Sequence, residues 1–262
     1  MDYRNLGKCG VKVSPVCLGT MMFGGQTNEA DSVAIIHKAC DQGINFIDTA
    51  NMYNAGESER VVGRAIADRR DHVVLATKGR QKMGTGPNQH GGSRLHLMHE
   101  LDASLKRLGT DYIDIYYYHA PDVSTPVDET LRALDDMVRS GRVHYIACSN
   151  FRAWRICESL WTSDRLNLNR YVCIQPLYNI VNRDIATQRR IELVPFQDVA
   201  EIADAACREG LDGPRTDRVD ADVLGAQIVG EILDARFQRS LGDAHHVVMR
   251  NDLFRTVIGQ GQ

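Results

Sequence analysis

Apolar and polar positions follow two alternating spacings from Val13 to about Tyr178. Short runs of β-branched and aromatic residues, typical of buried strands, are followed by longer stretches with apolar residues three to four positions apart, typical of amphipathic helices. Strands are predicted in six segments, which begin at Val13, Ile44, His72, Asp111, Val143 and Tyr171. Helices are predicted at about 28–42, 58–67, 93–108, 126–140 and 152–160. This alternation predicts an α/β fold of βαβ units around a parallel sheet.

Glycines mark the ends of these predicted elements. Gly43 and Gly141 directly follow predicted helices, where a left-handed C-cap favours glycine. The first twelve residues predict a short hairpin with Gly7 or Gly10 near its turn. The Gly-rich stretch 82–92 predicts a long loop between a strand and a helix, and loops of that length in compact domains are usually functional or mobile.

Polar residues stand at the ends of successive predicted strands. They are Asp48, Lys78, His119, Ser149 with Asn150, and Gln175. In a closed parallel barrel the carboxyl ends of all strands open onto one rim, where active sites are built. Any one of these residues alone has an ordinary structural explanation, such as a turn or a satisfied backbone group. Their recurrence at corresponding positions favours one shared site on the rim.

The residue types at this rim are suited to proton transfer. A lysine beside an aspartate keeps its charge despite partial burial, so Lys78 and Asp48 are expected to pair. Tyr53 lies on the loop after Asp48, where a neighbouring cation would stabilise its phenolate form and make it a proton donor to a carbonyl oxygen. His119 could hold that oxygen by a hydrogen bond.

These residues lie within segments that resemble a known family. "GTMMFGG", "NFIDTANMYNAGESERVVGRAI", "VVLATKGR", "SLKRLGTDYIDIYYYHAPD", "ETLRALDDMVRSGRVHYIACSNF" and "QPLYNIVNRDI" resemble the aldo-keto reductases. They are similar to the branch that includes bacterial reductases and potassium-channel β subunits. The resemblance is nearly continuous over residues 3–185.

The resemblance implies a (β/α)8 TIM barrel and an NADP(H)-dependent oxidoreductase that reduces aldehyde or ketone carbonyls. By matching position, Tyr53 would be the general acid, tuned by Asp48 and Lys78, and His119 would orient the substrate carbonyl. Three side chains would hold the nicotinamide carboxamide: Ser149, Asn150 and Gln175. Three others would line the cofactor and substrate end of the first strand: Gly19, Thr20 and Met21. The family uses no metal and no Rossmann domain, and no strand-linked G-x-G-x-x-G occurs in this sequence.

The resemblance weakens over residues 186–213 and is lost over residues 214–262. We expect one barrel domain over residues 1–262, incomplete or divergent at its seventh and eighth strands. Three explanations of the tail remain open: a divergent segment that supplies those strands, out-of-frame sequence in a truncated reductase, or a variant with a changed role. A catalytically impaired barrel that acts as a binding or regulatory subunit is therefore the alternative function.

Composition excludes several other classes of protein. The chain has 262 residues, 43% of them hydrophobic and 25% charged, with a formal net charge of -3. These values are ordinary for a globular protein and do not indicate nucleic acid or an anionic membrane as its partner. A small-molecule carbonyl substrate is expected only from the family resemblance. Seven cysteines without a C-x-x-C pair favour a reducing compartment, so a cytoplasmic location is expected. The segment "HLMHE" at 96–100 does not have metal-site order and is expected to be solvated helix surface.

Overall fold

A computed structural model describes residues 1–7 and 9–179 of the chain. An antiparallel hairpin of β1 (Arg4–Asn5) and β2 (Lys12–Val13) precedes the main sheet. Gly7 adopts a left-handed φ of 56° in the turn between them. The expectation of an N-terminal hairpin turning near this glycine is confirmed.

The main sheet contains six parallel strands in sequence order. Its strands are β3 (Leu18–Gly19), β4 (Phe46–Asp48), β5 (Val74–Gly79), β6 (Ile113–Tyr118), β7 (Val143–Ser149) and β8 (Ile174–Gln175). Sequential parallel neighbours require a crossover between each pair, and five helices supply these crossovers. The arrangement is the βαβ succession expected from the alternating pattern.

The crossover helices are α1 (Glu29–Asp41), α2 (Glu57–Ile66), α3 (Arg94–Leu108), α4 (Val127–Arg139) and α5 (Ala153–Leu166). The first four lie within two residues of their predicted bounds. The fifth extends six residues beyond the predicted end at Leu160 and stops at Asn167, which takes a left-handed φ of 53°. Gly43 and Gly141 follow α1 and α4 with left-handed φ values of 88° and 74°, as expected.

Alternate residues of each strand pack into two separate apolar clusters. One cluster lies between the sheet and the helices and contains Ile47, Leu75 and Tyr116. The other lies on the opposite face, with the hairpin residues Leu6 and Val13 against a row of inward-facing strand residues: Phe46, Ala76, Ile115, Tyr117 and Ala147. This alternation follows from the two-residue period of a strand.

Some expectations are wrong or fall beyond the described part of the chain. Val13 belongs to the hairpin rather than to the first strand of the sheet. His96 and Glu100 are buried, so the expectation of a solvated surface at 96–100 is wrong for these residues, whereas His99 is exposed as expected. The expectation for a seventh and eighth barrel strand lies outside the described residues. Within residues 1–7 and 9–179, the helices are all too short or too polar to span a bilayer.

Candidate active site

The two-residue period of the strands brings the predicted polar residues to one place. Asp48 follows the inward-facing Phe46 by two positions, and Lys78 follows Ala76 in the same way. His119 and Ser149 likewise stand two positions beyond two further inward-facing residues, Tyr117 and Ala147. These polar side chains therefore continue the inner face of the sheet at its carboxyl end, as the sequence pattern predicted.

Lys78 is the centre of this group. Its side chain has no exposed surface, and Nζ donates to Asp48 Oδ2 at 2.5 Å, to the Thr49 carbonyl oxygen at 2.9 Å and to Tyr53 Oη at 3.1 Å. Burial disfavours the ammonium, but the nearby Asp48 carboxylate and Tyr53 outweigh it, so the pKa of Lys78 is raised above its ordinary value. The site therefore holds a fixed positive charge in contact with a phenol oxygen.

Tyr53 reaches the lysine because the chain turns sharply after β4. Asn54, Ala55 and Gly56 have φ values of 48°, 54° and 92°, all in the left-handed region. Asn54 Nδ2 donates to the carbonyl oxygens of Met21 at 3.0 Å and Phe23 at 2.8 Å, which ties this turn to the loop after β3. Left-handed backbone at a residue other than glycine is strained and persists only where its surroundings hold it.

His119 lies beside the tyrosine. The Tyr53 and His119 ring centroids are 6.0 Å apart at an interplanar angle of 84°, an edge-to-face arrangement. Burial, followed by the positive charges of Lys78 and Arg80, lowers the pKa of His119 to about 4. The imidazole is therefore neutral at physiological pH and offers a hydrogen bond instead of a charge.

Three rim residues are bonded mainly to one another. Ser149 Oγ donates to the Gln175 carbonyl oxygen at 2.7 Å. Asn150 Nδ2 donates to the His119 carbonyl oxygen and to Ser149 Oγ, both at 3.1 Å. Asn150 itself takes a left-handed φ of 60°. The amide of Asn150 and the hydroxyl of Ser149 thus also hold the ends of β6, β7 and β8 together.

The three residues predicted at the end of the first strand differ in accessibility. Thr20 is fully buried, and its Oγ1 donates to the Asp48 carbonyl oxygen at 3.0 Å and lies 2.8 Å from Ser58 Oγ. Gly19 is exposed, with no atom within 4 Å of the position that a Cβ would take, and Met21 is 57% exposed. Gly19 and Met21 therefore border open space, whereas Thr20 braces the strand ends from behind.

The described residues fit the nicotinamide end of a dinucleotide cofactor. Asp48 Oδ1 is buried without a hydrogen-bond partner, so a hydroxyl donor from a bound molecule would satisfy it. Gly19 and Gln175 stand at the ends of two strands of the same sheet. Gly19 leaves open space there, and Gln175 carries a side-chain amide. Among residues 1–7 and 9–179, no three His, Cys, Asp or Glu side chains are grouped to hold a metal ion.

Sequence reasoning missed a set of buried polar residues behind this site. Glu59 on α2 and Glu100 on α3 are buried and hydrogen bonded to Thr77 and Asn51, and Arg107 pairs with Glu59. Helical spacing was the available signal. Glu100 stands in the apolar stripe of α3 with Leu97, Leu101, Ser104 and Leu108, at positions that all face the core.

Comparison with known families agrees with the fold. The aldo/keto reductase family model matches residues 15–211. The match extends into the segment 186–213, where we expected only weak similarity. It covers all the site residues predicted from the sequence.

Relatives of this chain include both enzymes and a channel subunit. It is 40% identical over 190 residues to a probable voltage-gated potassium channel subunit beta of Arabidopsis thaliana, covering 70% of this chain and 57% of that protein. It is 40% identical over 194 residues to an uncharacterized oxidoreductase of Bacillus subtilis, covering 70% and 60%. For the versiconal hemiacetal acetate reductase of Aspergillus parasiticus the identity is 36% over 222 residues, covering 75% and 63%.

The chain spans less than two thirds of the length of each of these curated relatives. The matched part nevertheless includes six consecutive parallel strands and the rim on which the polar side chains meet. Because the family model covers most of the sequence, the chain belongs to the aldo/keto reductase family, whose fold is the (β/α)8 barrel.

Proposed function

We propose that this protein is an NADP(H)-dependent oxidoreductase that reduces the carbonyl group of an aldehyde or ketone to an alcohol. The observation that carries the proposal is the position of Lys78 Nζ, which is 2.5 Å from Asp48 Oδ2 and 3.1 Å from Tyr53 Oη. A phenol held by a buried ammonium is suited to donate a proton and to remain as a phenolate afterwards.

In the proposed reaction Tyr53 is the proton donor. A reduced nicotinamide bound at the rim would supply a hydride to the carbonyl carbon. The carbonyl oxygen takes the Tyr53 Oη proton, and the Lys78 ammonium stabilises the phenolate that remains until solvent returns a proton. Asp48 keeps Lys78 charged throughout, because the carboxylate offsets the cost of burying the ammonium.

His119 has a separate role in this proposal. Its pKa of about 4 keeps the ring neutral at pH 7, so it does not compete with Tyr53 as an acid. The neutral ring has one N–H, which can hold the carbonyl oxygen near Tyr53 Oη. Donors placed where negative charge develops are among the strongest contributors to catalysis.

The cofactor would lie along the rim beside these groups. We assign its nicotinamide carboxamide to Ser149, Asn150 and Gln175, and a hydroxyl donor to the unpartnered Asp48 Oδ1. Gly19 and Met21 border the open space at the first strand, and Thr20 acts on the site through its bond to the Asp48 carbonyl oxygen. We infer NADP(H) instead of NAD(H) from the family resemblance.

A second function is favoured by one comparison. The 40% identity to a protein named as a potassium channel subunit beta supports a barrel that binds a partner protein and regulates it. The complete group of Asp48, Tyr53, Lys78 and His119 favours the enzyme, because a barrel used only for binding has no need of a buried lysine against a tyrosine. Cofactor turnover distinguishes the two.

The test combines cofactor binding with carbonyl reduction. Purified 262-residue protein is titrated with NADPH and with NADH by fluorescence, and the rate of carbonyl reduction is then measured with a panel of aldehydes and ketones. We expect saturable NADPH binding, weaker NADH binding and measurable turnover. The variant Tyr53→Phe should bind NADPH normally but lose about 10²–10⁴-fold in rate, because it lacks the transferable proton.

The matched control is Tyr112→Phe, which removes a hydroxyl that donates to Asp71 at 3.2 Å far from the rim. It should keep the wild-type rate. An unchanged rate in Tyr53→Phe would remove the assigned role of Tyr53. Absence of cofactor binding by protein shown to be folded would overturn the enzyme proposal and favour the regulatory subunit.

A further inference from the structure

A buried ion cluster lies behind the candidate site, between α2, α3 and the sheet. Arg107 Nε is 2.5 Å from Glu59 Oε2, and Arg107 Nη2 is 3.8 Å from Glu100 Oε2 and 3.1 Å from Ser104 Oγ. The Glu59 side chain has no exposed surface, and those of Glu100 and Arg107 have little. One guanidinium therefore serves two buried carboxylates, and its planar fork of donors is suited to bridging them.

The two carboxylates reach directly into the segments that carry the candidate catalytic side chains. Thr77 Oγ1 donates to Glu59 Oε1 at 2.5 Å, and Thr77 is the residue immediately before Lys78. Asn51 Nδ2 donates to Glu100 Oε2 at 2.8 Å, and Asn51 stands two residues before Tyr53. Each carboxylate thus accepts a hydrogen bond from a polar side chain one or two residues before a candidate catalytic residue.

Arg107 also supports the far end of the Tyr53 turn. A Cβ added to Gly56 would lie only 2.7 Å from Arg107 Cδ, so the arginine stem packs directly against the glycine backbone. Gly56 stands three residues after Tyr53, and its φ of 92° closes the run of left-handed residues. The cluster therefore contacts the Tyr53 turn on both sides, at Asn51 and Gly56, and it contacts β5 at Thr77.

From these contacts we propose that Arg107, with Glu59 and Glu100, is a positioning residue that sets the placement of Tyr53 against Lys78. The proposal rests on the proposed function, since it assigns the cluster to the proton-donating pair. Its physical basis is that the strained turn at 53–56 needs surroundings that hold it, and the cluster supplies them at Asn51 and Gly56. Small displacements of a positioned donor are costly to rate, because proton transfer requires close approach.

The main test is the variant Arg107→Lys in the full 262-residue chain. Lysine keeps the positive charge but has no planar fork, so it cannot reproduce the guanidinium contacts with Glu59, Glu100 and Ser104. The control is Arg64→Lys, which alters an exposed ion pair with Glu29 on the same helix as Glu59. A second variant, Asn51→Ala, removes the hydrogen bond from the turn to Glu100 and leaves the Arg107 ion pairs and the Arg107 contact with Gly56 in place.

Three quantities are measured on each variant: kcat and KM for carbonyl reduction, the Kd for NADPH, and hydrogen exchange of backbone amides. In Arg107→Lys and Asn51→Ala we expect kcat to fall on the order of 10- to 100-fold, with the Kd for NADPH and the KM at wild-type values. Amides at 51–56 should exchange faster, including Asn51 N–H, which donates to the Lys78 carbonyl oxygen. Arg64→Lys should change none of these.

Other outcomes decide against the proposal. Folded variants with wild-type kcat and unchanged exchange at 51–56 would overturn it. Faster exchange spread over α2 and α3 with unaltered kcat would also overturn it, because the cluster would then only hold the two helices together. If Arg107→Lys does not fold, Asn51→Ala decides by the same criteria.

Failure of the proposed function has a different signature. If the folded wild-type protein reduces no carbonyl, whether or not it binds NADPH, the reductase assignment is refuted whatever the variants do. In that case hydrogen exchange still decides whether the cluster positions the Tyr53 turn. Faster exchange confined to 51–56 supports the positioning, and unchanged exchange overturns it.

Discussion

Lys78 and His119 lie in the same site, and their pKa values shift in opposite directions. Burial opposes the charged form of both. Lys78, however, contacts the Asp48 carboxylate and Tyr53, which favour its charged form, so its pKa is raised. His119 has no such anion; burial and the charges of Lys78 and Arg80 together lower its pKa to about 4. At neutral pH the site thus combines one ion pair with a neutral ring, which separates the roles of charge stabilisation and hydrogen bonding.

The lowered pKa of His119 predicts a pH-dependent loss of stability. The unfolded chain binds a proton on this histidine near its ordinary pKa of 6.5, whereas the folded chain binds it only near 4. Between these values the unfolded state holds more protons, so the free energy of unfolding falls as pH is lowered from 6.5 to 4, by about 3 kcal/mol at most. Below about pH 4 both states are protonated and the contribution levels off.

Urea unfolding of wild type and His119→Gln at pH 7 and at pH 4.5 measures this contribution. The difference in the free energy of unfolding between the two proteins at pH 7 is the internal reference. At that pH it reports only the packing effect of the substitution. We expect His119→Gln to lose less stability than wild type between the two pH values. Equal losses in both proteins would contradict a lowered pKa for His119.

At the scale of elements, the contact between α2 and α3 sets where the buried ion cluster forms. Gly63 on α2 allows a close approach, since a Cβ there would lie 2.2 Å from the carbonyl oxygen of Leu108 at the end of α3. The two helices then bring Glu59 and Arg107 to 2.5 Å. Helix packing and the position of the Tyr53 turn are linked through this contact, because the same arginine packs against Gly56.

This contact predicts an unusual effect for a helical glycine. Replacement of an exposed helical glycine by alanine normally stabilises a helix by about 1 kcal/mol. For Gly63→Ala we expect a loss of about 1–3 kcal/mol, because the added methyl group meets backbone that cannot move aside without shifting α3. The measurement is the free energy of unfolding from denaturant titration.

The control for Gly63→Ala is Gly10→Ala, since no atom lies within 4 Å of the position of its added Cβ. Gly10→Ala should leave the free energy of unfolding nearly unchanged. If Gly63→Ala stabilises the protein instead, the close approach of α2 to α3 is not present in solution.

At the scale of the whole molecule, we propose that residues 1–262 form one domain. The apolar cluster between helices and sheet draws on α1 to α5, and the second cluster joins the sheet to the N-terminal hairpin. Two clusters that share the same strands are expected to be lost together on unfolding. The single-domain proposal and the cofactor proposal are linked, because a ligand of the native state stabilises the whole cooperative unit.

The expected result is one unfolding transition for the full chain by calorimetry, and an increase in its midpoint with NADPH. At a free NADPH concentration 100 times its Kd, the native state should gain about 2.7 kcal/mol. NADH at the same concentration should give a smaller increase. Two separate transitions, of which NADPH moves only one, would contradict a single domain.

The sequence alone determined the features that depend on local spacing. Two-residue alternation and helical periodicity predicted the order of strands and helices, and the polar strand ends Asp48, Lys78 and His119 indicated a shared rim. These predictions succeed because a parallel sheet places all its carboxyl ends on one side, whatever its helices contact. The family could be predicted because segments of the sequence resemble its motifs, and the family model matches residues 15–211.

Other contacts between residues far apart in the chain could not be predicted from the sequence. The left-handed backbone of Asn54 and Ala55, the complete burial of Thr20 and the pairing of Glu59 with Arg107, 48 residues away, follow from how the loops and helices pack on the sheet. Sequence spacing records which face of an element a residue occupies, but not which residue faces it from the next element. Glu100 was therefore expected on a solvated helix surface, and its burial near Glu59 and Arg107 depends on the packing of α2 and α3.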